Sequence, residues 1–443
     1  MKRTLLGLCG LAAVLALLAA CGTSTQDETF SGGDSKSPPS SPGPTPSPTD
    51  SGAGSPPGGG GTEGTPGTGT GSPTPAPGQL TAGDWDDNLN FAFFQQYLTG
   101  EAPQGLPAPH TADRVIITVR DAEGRPIPNA RVSVKDAGGT RLEAPTATDG
   151  RLLFLPTYDG AQASEGFSVT VTPPPGQGGE PLTTPVEGSA WNLTLPGAQA
   201  VLPSELDVAF VVDATGSMTD ELSYLKAEIQ GIVDTVRSTY PDISARFALV
   251  VYRDDGDAYV VRSFDFTSDL GTFRQRLEAQ SADGGGDYPE AMERGLGAIH
   301  QLTWRTGNTA RLTFLVADAP THTQSHPAFL REANRARLSG IKVYPVAASG
   351  VADEAEYQMR LAAQLTLGRY LFLTNDSGIG DSHAEPHIPC YQVQLLRNLI
   401  IRAIGSELSG RRLPASGSDV LRTVGNPSQD GSCTRQDGTV TYL

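Results

Sequence analysis

The chain has 443 residues, long enough for two or three domains and at least one sizeable core. Its net charge of −17, from 49 acidic residues against 32 scattered basic ones, argues against a nucleic-acid partner, because binding a phosphate backbone needs grouped Lys and Arg to release counterions. The 52 Gly and 35 Pro are concentrated early, which implies a disordered stretch joined to globular sequence rather than a chain disordered throughout.

Residues 1–20 are organised as a secretory signal: Lys2 and Arg3, an apolar run from Leu5 to Leu18, then small residues. The run is too short to cross a bilayer as a helix. Its ending, Leu18-Ala19-Ala20-Cys21, resembles the lipobox of bacterial lipoproteins. The resemblance implies cleavage before Cys21, a diacylglycerol on its sulfur, and stable attachment to a membrane through more than one acyl chain. An ordinary signal peptide that ends near a cysteine is the alternative. Gly22 follows where an inner-membrane retention signal has Asp, so the resemblance implies the outer membrane in a bacterium with two membranes and otherwise the outer face of the cell membrane. Cys9 leaves with the signal and Cys21 is taken by lipid, so Cys390 and Cys433 remain with one connectivity. An oxidising compartment favours their disulfide, which closes a loop of about 43 residues and is worth roughly 4 kcal/mol in the chain-entropy model. Two free buried thiols are the other reading.

Residues 21–83 are Ser, Thr, Pro and Gly with almost no large apolar side chain, and cannot bury enough surface to offset ordering entropy. They read as a disordered tether with a mean span of about 45 Å and an extended reach on the order of 190 Å. In residues 84–110, Phe91, Phe94 and Leu98 fall at helical spacing behind Asp87-Asn88 as a cap, which predicts a short helix docked on a neighbouring domain. Residues 111–197 change to short alternating runs between turns, such as Val115-Ile116-Ile117-Thr118-Val119 and Phe167-Ser168-Val169-Thr170-Val171, the pattern of a small all-β sandwich. The stretch from Val119 to Val132, with Thr148-Asp149-Gly150, resembles carboxypeptidase-regulatory-like and bacterial immunoglobulin-like repeats, which act mostly as spacers or binding platforms.

Residues 203–412 alternate apolar strands with amphipathic helices. Leu206 to Val212, Arg246 to Tyr252, Arg311 to Ala317, Ile341 to Ala348 and Tyr370 to Thr374 read as strands, and Thr219 to Thr239 carries one apolar stripe of Leu222, Leu225, Ile229, Ile232 and Val236. The expected fold class is α/β, a Rossmann-like, doubly wound, mostly parallel sheet covered on both faces. Residues 413–443 form a tail tied back by the disulfide.

Ligands of open α/β sheets sit beyond the carboxyl ends of the strands. Three polar loops fall at such places: Asp213-Ala214-Thr215-Gly216-Ser217, Gly284-Gly285-Gly286-Asp287-Tyr288-Pro289-Glu290 and Asp318-Ala319-Pro320-Thr321-His322. In order and separation they resemble the metal-ion-dependent adhesion site of von Willebrand factor type A domains, whose first loop is Asp-x-Ser-x-Ser. The resemblance covers roughly 200 residues. It implies one divalent cation, Mg²⁺ first and Mn²⁺ or Ca²⁺ as alternatives, held by Asp213, Thr215, Ser217 and Asp318, with a position left for a carboxylate of a protein partner. Thr215 keeps the hydroxyl of the family's middle serine. Asp287 stands near where many members carry a threonine, and if it joins Asp213 and Asp318 around the ion, three negative charges hold the metal more tightly and weaken attraction for an acidic partner. The subgroup with Gly-Gly-Gly-Asp-x-Pro-Glu, Asp213-Ala214-Thr215-Gly216-Ser217-Met218 and the stretch from Tyr252-Arg253-Asp254 to Phe264-Asp265-Phe266 is the nearest in pattern.

Other chemistry-bearing residues have blander readings. Asp254, Asp255 and Asp257 lack calcium-loop spacing and read as a solvated turn. His322 and His326 are four apart, as zinc ligands on a helix are, without the Glu of His-Glu-x-x-His. His383, His387 and Cys390 are metal candidates only if Cys390 is not in a disulfide. There is no Gly-x-Ser-x-Gly elbow, phosphate loop or catalytic Cys with His, so an enzyme is disfavoured. The expectation is an envelope-anchored, metal-dependent protein-binding module. A scaffold lipoprotein whose metal only stabilises the fold is the alternative.

Overall fold

The computed structural model describes residues 75–161, 166–380, 382–383 and 386–443. The expected signal segment, Cys21 and most of the tether lie outside the described residues.

Ordered chain begins earlier than composition implies. Leu80 and Ala82 have no exposed surface, and strand β1 (Thr81–Trp85) lies inside the main sheet, with Ala82 opposite both Leu373 and Gln394. The tether therefore cannot extend to residue 83. Five residues with one Trp carry no periodicity of their own, and their burial comes from partner strands far along the chain. Gly83 fits because a Cβ there would come within 2.5 Å of the Phe372 ring. Helix α1 (Phe91–Gly100) follows and buries Phe93, Phe94 and Tyr97. Its N-cap is Asn90, with no side-chain cap bond, rather than the expected Asp87-Asn88. Asp87 is instead buried against Trp85 Nε1 and Arg360.

Seven short strands come next: β2 (Val115–Arg120), β3 (Arg131–Asp136), β4 (Gly139–Pro145), β5 (Arg151–Phe154), β6 (Phe167–Thr172), β7 (Leu182–Val186) and β8 (Ala190–Thr194). They form two sheets, β5-β2-β8 and β4-β3-β6-β7, whose inward residues make a separate core around Phe154, Phe167 and Trp191. This sandwich docks on the following domain through Arg337, which pairs with Asp159 and donates to Leu153 O, and through Asn129, which accepts from Arg311.

The main domain runs β9 (Glu205–Asp213), α2 (Thr219–Thr239), β10 (Ser244–Tyr252), β11 (Val261–Thr267), α3 (Leu270–Glu278), α4 (Met292–Ala298), β12 (Thr309–Ala317), α5 (His326–Leu338), β13 (Lys342–Ala347), α6 (Asp353–Leu365), β14 (Tyr370–Leu373), β15 (Tyr391–Leu395), α7 (Leu396–Leu408) and β16 (Arg422–Val424). The sheet order is β11-β10-β9-β12-β13-β14-β1-β15-β16. Its centre, β10-β9-β12-β13-β14, is parallel, and the flanking pairings are antiparallel, so the sheet is mixed and mostly parallel at the middle. Alternate residues of β9 feed two cores: Ala209 and Val211 on the face covered by α4, α5 and α6, and Val208, Phe210 and Val212 on the face of α2, α3 and α7. The chain leaves β9 to one side for β10 and returns to the other for β12, which opens a crevice at the carboxyl ends of β9 and β12. Among the described residues no helix is long and apolar enough to cross a membrane.

The tail adds β16 to the sheet edge and a hairpin of β17 (Ser432–Thr434) and β18 (Val440–Tyr442). A Cys390–Cys433 disulfide ties the hairpin to the start of β15, with Cα atoms 6.6 Å apart.

Helix α6 is buried from Ala355 to Leu365, including Arg360 with no exposed surface, because α1 lies over its outer side. Arg360 meets both oxygens of Asp87 at 2.7 and 2.9 Å and Glu356 at 3.0 Å, with the Tyr97 ring 3.7 Å away. Removing it strands Asp87 in the core. Arg360→Met is expected to lower unfolding free energy by about 3–5 kcal/mol in urea denaturation. A loss below about 1 kcal/mol would mean that the pair does not pin the N-terminal segment.

Candidate metal centre

β9, β10 and β12 run in level register, Val212 facing Val251 on one side and Val316 on the other, so the three loops that follow start from one rim. Asp213 is the last residue of β9 and is fully buried. Its Oδ1 accepts from Thr215 N at 2.9 Å and from Thr215 Oγ1 at 2.6 Å, and Thr215 Oγ1 lies 3.1 Å from Ser217 Oγ. Ser217 also lies near enough to the Asp318 carboxylate, just past β12, to pull its pKa down. The expected Asp213, Thr215 and Ser217 are thus brought together as one hydrogen-bonded chain, with Asp318 beside it.

The glycine loop closes on this chain. Gly216 N donates to Gly284 O at 3.0 Å, and Asp283 N to Ala214 O at 3.1 Å. Gly284 and Gly285 have φ of +81° and +71°, and a Cβ on Gly285 would lie 2.6 Å from Glu290 Oε1, so a side chain there is excluded by conformation and by space. Glu290 is held by its own N–H donating to Pro320 O at 2.9 Å and by a bridge to Thr321.

Glu290 is a further buried carboxylate that feels the charges of Asp213 and Asp318. Asp287 is exposed and groups with Asp254 and His322, their donor atoms all within 4.8 Å of one another; among the described residues this is the one such group of three, so neither Asp213, Asp287 and Asp318 nor Asp213, Glu290 and Asp318 lie that close together. The expected Asp287 thus has Asp254 and His322 as its near neighbours. The reason is direction: Asp287 follows three glycines on the open side of the loop, whereas Glu290 lies where the chain turns inward toward α4. Glu290 stood in the motif as quoted. The usable signal was a carboxylate directly before a helix that must pack on the sheet.

Asp254 also departs from the solvated turn expected of it. It is buried, its Oδ1 lies 3.0 Å from His322 Nε2, and its N–H donates to Asp257 Oδ2, which also accepts from Gly285 N at 2.9 Å. His326 points elsewhere, to Pro107 O at 2.9 Å, so it does not join His322. His383 bonds Glu221 and Asn375, His387 bonds Glu356, and Cys390 is in the disulfide, so these three form no common site.

The electrostatics point to a missing positive charge. Asp213 Oδ2, Asp318 Oδ1 and Glu290 Oε2 are buried with no hydrogen-bond partner. Burial, against the Thr215 hydrogen bonds, raises Asp213 to about 6. Burial and the Asp213 charge raise Asp318 to about 7. Burial and the charges of Asp213, Asp254, Asp318 and Asp257 raise Glu290 to about 9. Orphaned carboxylate oxygens cost free energy in a protein interior unless a cation meets them. Three carboxylates and two hydroxyls are all hard oxygen donors, the set that suits Mg²⁺, Mn²⁺ or Ca²⁺. The residues present therefore fit a divalent ion.

Residues 207–370 match the family model of the von Willebrand factor A domain. The α/β sheet with its crevice at the ends of β9 and β12 is a von Willebrand factor A domain, with a Rossmann-like, mostly parallel central sheet. Among curated proteins, this chain is 30% identical over 126 residues to an alpha-protein kinase, vwkA, of Dictyostelium discoideum, covering 28% of this chain and 20% of the kinase. It is 34% identical over 131 residues to an ariadne-like RING finger protein of Acanthamoeba polyphaga mimivirus, covering 29% of this chain and 13% of that protein. The chain thus spans a fifth or less of the curated relatives it matches. Among solved structures it is similar to an aerotolerance-related membrane protein of Bacteroides fragilis, at 15% identity and a TM-score of 0.32 over 46% of this chain and 98% of that one.

The raised carboxyls set a pH dependence. A carboxyl whose folded pKa lies above its unfolded value, about 4, stabilises the fold while protonated, and this contribution is lost as pH rises through the folded value. Metal-free protein is therefore expected to lose stability between about pH 4 and pH 9 from Asp213, Asp318 and Glu290. Asp84, which burial pushes up but Arg369 and Arg402 pull down to about 2, completes its gain below this window. Thermal unfolding in chelator and in saturating Mg²⁺ should diverge as pH rises from 5 to 8, and Asp213→Asn should shrink the divergence. Equal stabilisation by Mg²⁺ at both pH values would sink this account.

Proposed function

We propose that the chain is an exported, lipid-anchored binding protein whose von Willebrand domain captures a protein partner through one divalent cation. The observation that carries this reading is the set of three buried, unpartnered carboxylate oxygens, on Asp213, Asp318 and Glu290, at the rim of the sheet. Asp213, Thr215, Ser217, Asp318 and Glu290 would hold the ion, with Mg²⁺ the first expectation. When bound, the ion supplies a Lewis-acidic position for an oxygen of the partner. The chain's own residues give that position its access: Asp213 and Thr215 are closed to solvent, whereas Ser217 and the loop from Gly285 to Tyr288 are exposed. Tyr288 steadies the mouth by donating to Asp318 O or Gly350 O and accepting from Ala352 N at 2.8 Å.

A second reading, a cation that only stabilises the fold, is favoured by the complete burial of Asp213 and Thr215. The two readings separate in one experiment. Calorimetric titration of Mg²⁺ and Mn²⁺ should give one site in the wild type, weakened about 100-fold or more in Asp213→Ala. Capture of a partner from envelope extract should then require the ion and be lost with chelator at a temperature where the fold persists. Metal binding with chelator-insensitive capture would support the structural cation. No heat with any divalent salt would end both readings.

The anchor rests on Leu18-Ala19-Ala20-Cys21. Labelled palmitate is expected to enter the wild-type protein and not Cys21→Ser, which should move to the soluble fraction. Unchanged membrane partition of Cys21→Ser would remove the lipoprotein assignment.

A further inference from the structure

At the opposite end of the sheet from the metal centre, where β12 begins, an open cleft of about 700 Å³ separates the sandwich from the von Willebrand domain. Such a volume suits a small-molecule site, and domain junctions are where such sites tend to lie. The sandwich contributes Arg131 and Glu143, and the main domain contributes Trp304, Arg305, Arg311 and Arg335. In a chain of net charge −17, this wall gathers four arginines, and its positive character rests on the one that no acid neutralises.

The arginines are not equivalent. Arg305 is neutralised by Asp207 at 2.6 Å and Glu205 at 3.2 Å, Arg335 pairs with Glu332 at 2.7 Å, and Arg131 pairs with Glu143 across exposed side chains. Arg311 is 7% exposed and, among the described residues, has no ion-pair partner. Its Nη1 donates to Arg305 O at 3.0 Å and its Nη2 to Asn129 Oδ1 at 2.5 Å, both neutral acceptors, while Nε has no partner. The acid nearest in field, Asp207, is already held by Arg246 and Arg305. Fixed charge in a desolvated place without a counter-ion is a cost to the fold, and an anionic ligand would remove it. Nε itself is closed to solvent, so what Arg311 offers the cleft is its field. Arg335 and Arg131, exposed at the rim, bring donors that can bond an oxyanion. Partly exposed Trp304, fixed by its indole N–H donating to Ile299 O at 2.7 Å and by edge contact with Phe266, presents a flat apolar surface beside them.

We propose that this cleft binds a small anionic molecule, its carboxylate or phosphate set in the field of Arg311 and bonded by Arg335 and Arg131, its sugar-sized body against Trp304. The inference stands apart from the metal centre and does not need it. The test titrates the full chain at low salt with glucose 6-phosphate, glucuronate and glucose, by ligand-observed NMR. At least one of the two anions is expected to bind, and glucose roughly tenfold or more weakly. Which anion binds tells phosphate from carboxylate. Arg311→Met and the exposed rim variant Arg335→Gln should each weaken the anion several-fold, whereas Asp213→Ala should leave it unchanged. The proposal is overturned if neither anion binds at concentrations on the order of 10 mM. It is equally overturned if glucose binds as well as they do, or if Arg335→Gln binds them unchanged. A lowered unfolding temperature for Arg311→Met, with anion binding intact, would make Arg311 a strut between the domains and also overturn it.

Discussion

Mutual repulsion among carboxylates held out of water is the constraint around which the main domain is arranged. Parallel strands of level length deliver Asp213 and Asp318 to one rim, and Glu290, packed beside Gly285, adds its charge to theirs. Left alone, the cluster takes up protons, as the upward displacement of all three carboxyls shows. Both hydrogen bonds from Thr215 go to one oxygen of Asp213, and its other oxygen is buried without a partner. A fold that buries such a group gains nothing from it unless a cation resolves the repulsion, which couples binding to stability.

The same principle, met in other ways, recurs through the molecule. Asp207, at the amino end of β9, is neutralised twice, by Arg246 and Arg305. Asp84 is neutralised by Arg369 and Arg402, and Asp87 by Arg360. Two of these three pairings fasten the N-terminal segment to the sheet and to α6, so the stretch before the sandwich is part of the main domain's core. The ends of the sheet therefore differ in character. Its amino end is neutralised except at Arg311, and its carboxyl end keeps an uncompensated negative charge.

Much of the main domain was legible in the sequence. The helix expected over Thr219 to Thr239 spans those residues, because an apolar stripe of period 3.6 leaves little choice of face. The five strands expected at the centre are the five parallel strands, because burial on both faces writes a near-continuous apolar run. What escaped was antiparallel. β1, β15 and β16 are short, mixed in polarity and stabilised by neighbours distant in the chain, and Thr81-Ala82-Gly83-Asp84-Trp85 looks like the end of a tether until Leu373 is placed beside it.

At the site, Asp213, Thr215 and Ser217 were readable because local spacing alone puts them in one loop, and Asp318 because it ends a strand of unmistakable pattern. Which of Asp287 and Glu290 turns inward depends on the left-handed glycines and on the packing of Pro320 against that loop, and Asp254 is buried by a histidine from another strand's end. Sequence by itself determined the class of sheet and the chemical identity of most donors, since both follow from periodicity and residue type within a single segment. Tertiary structure alone decided which carboxylates are buried near one another and which arginine lacks an acid, since these depend on distances between segments that only the completed fold sets.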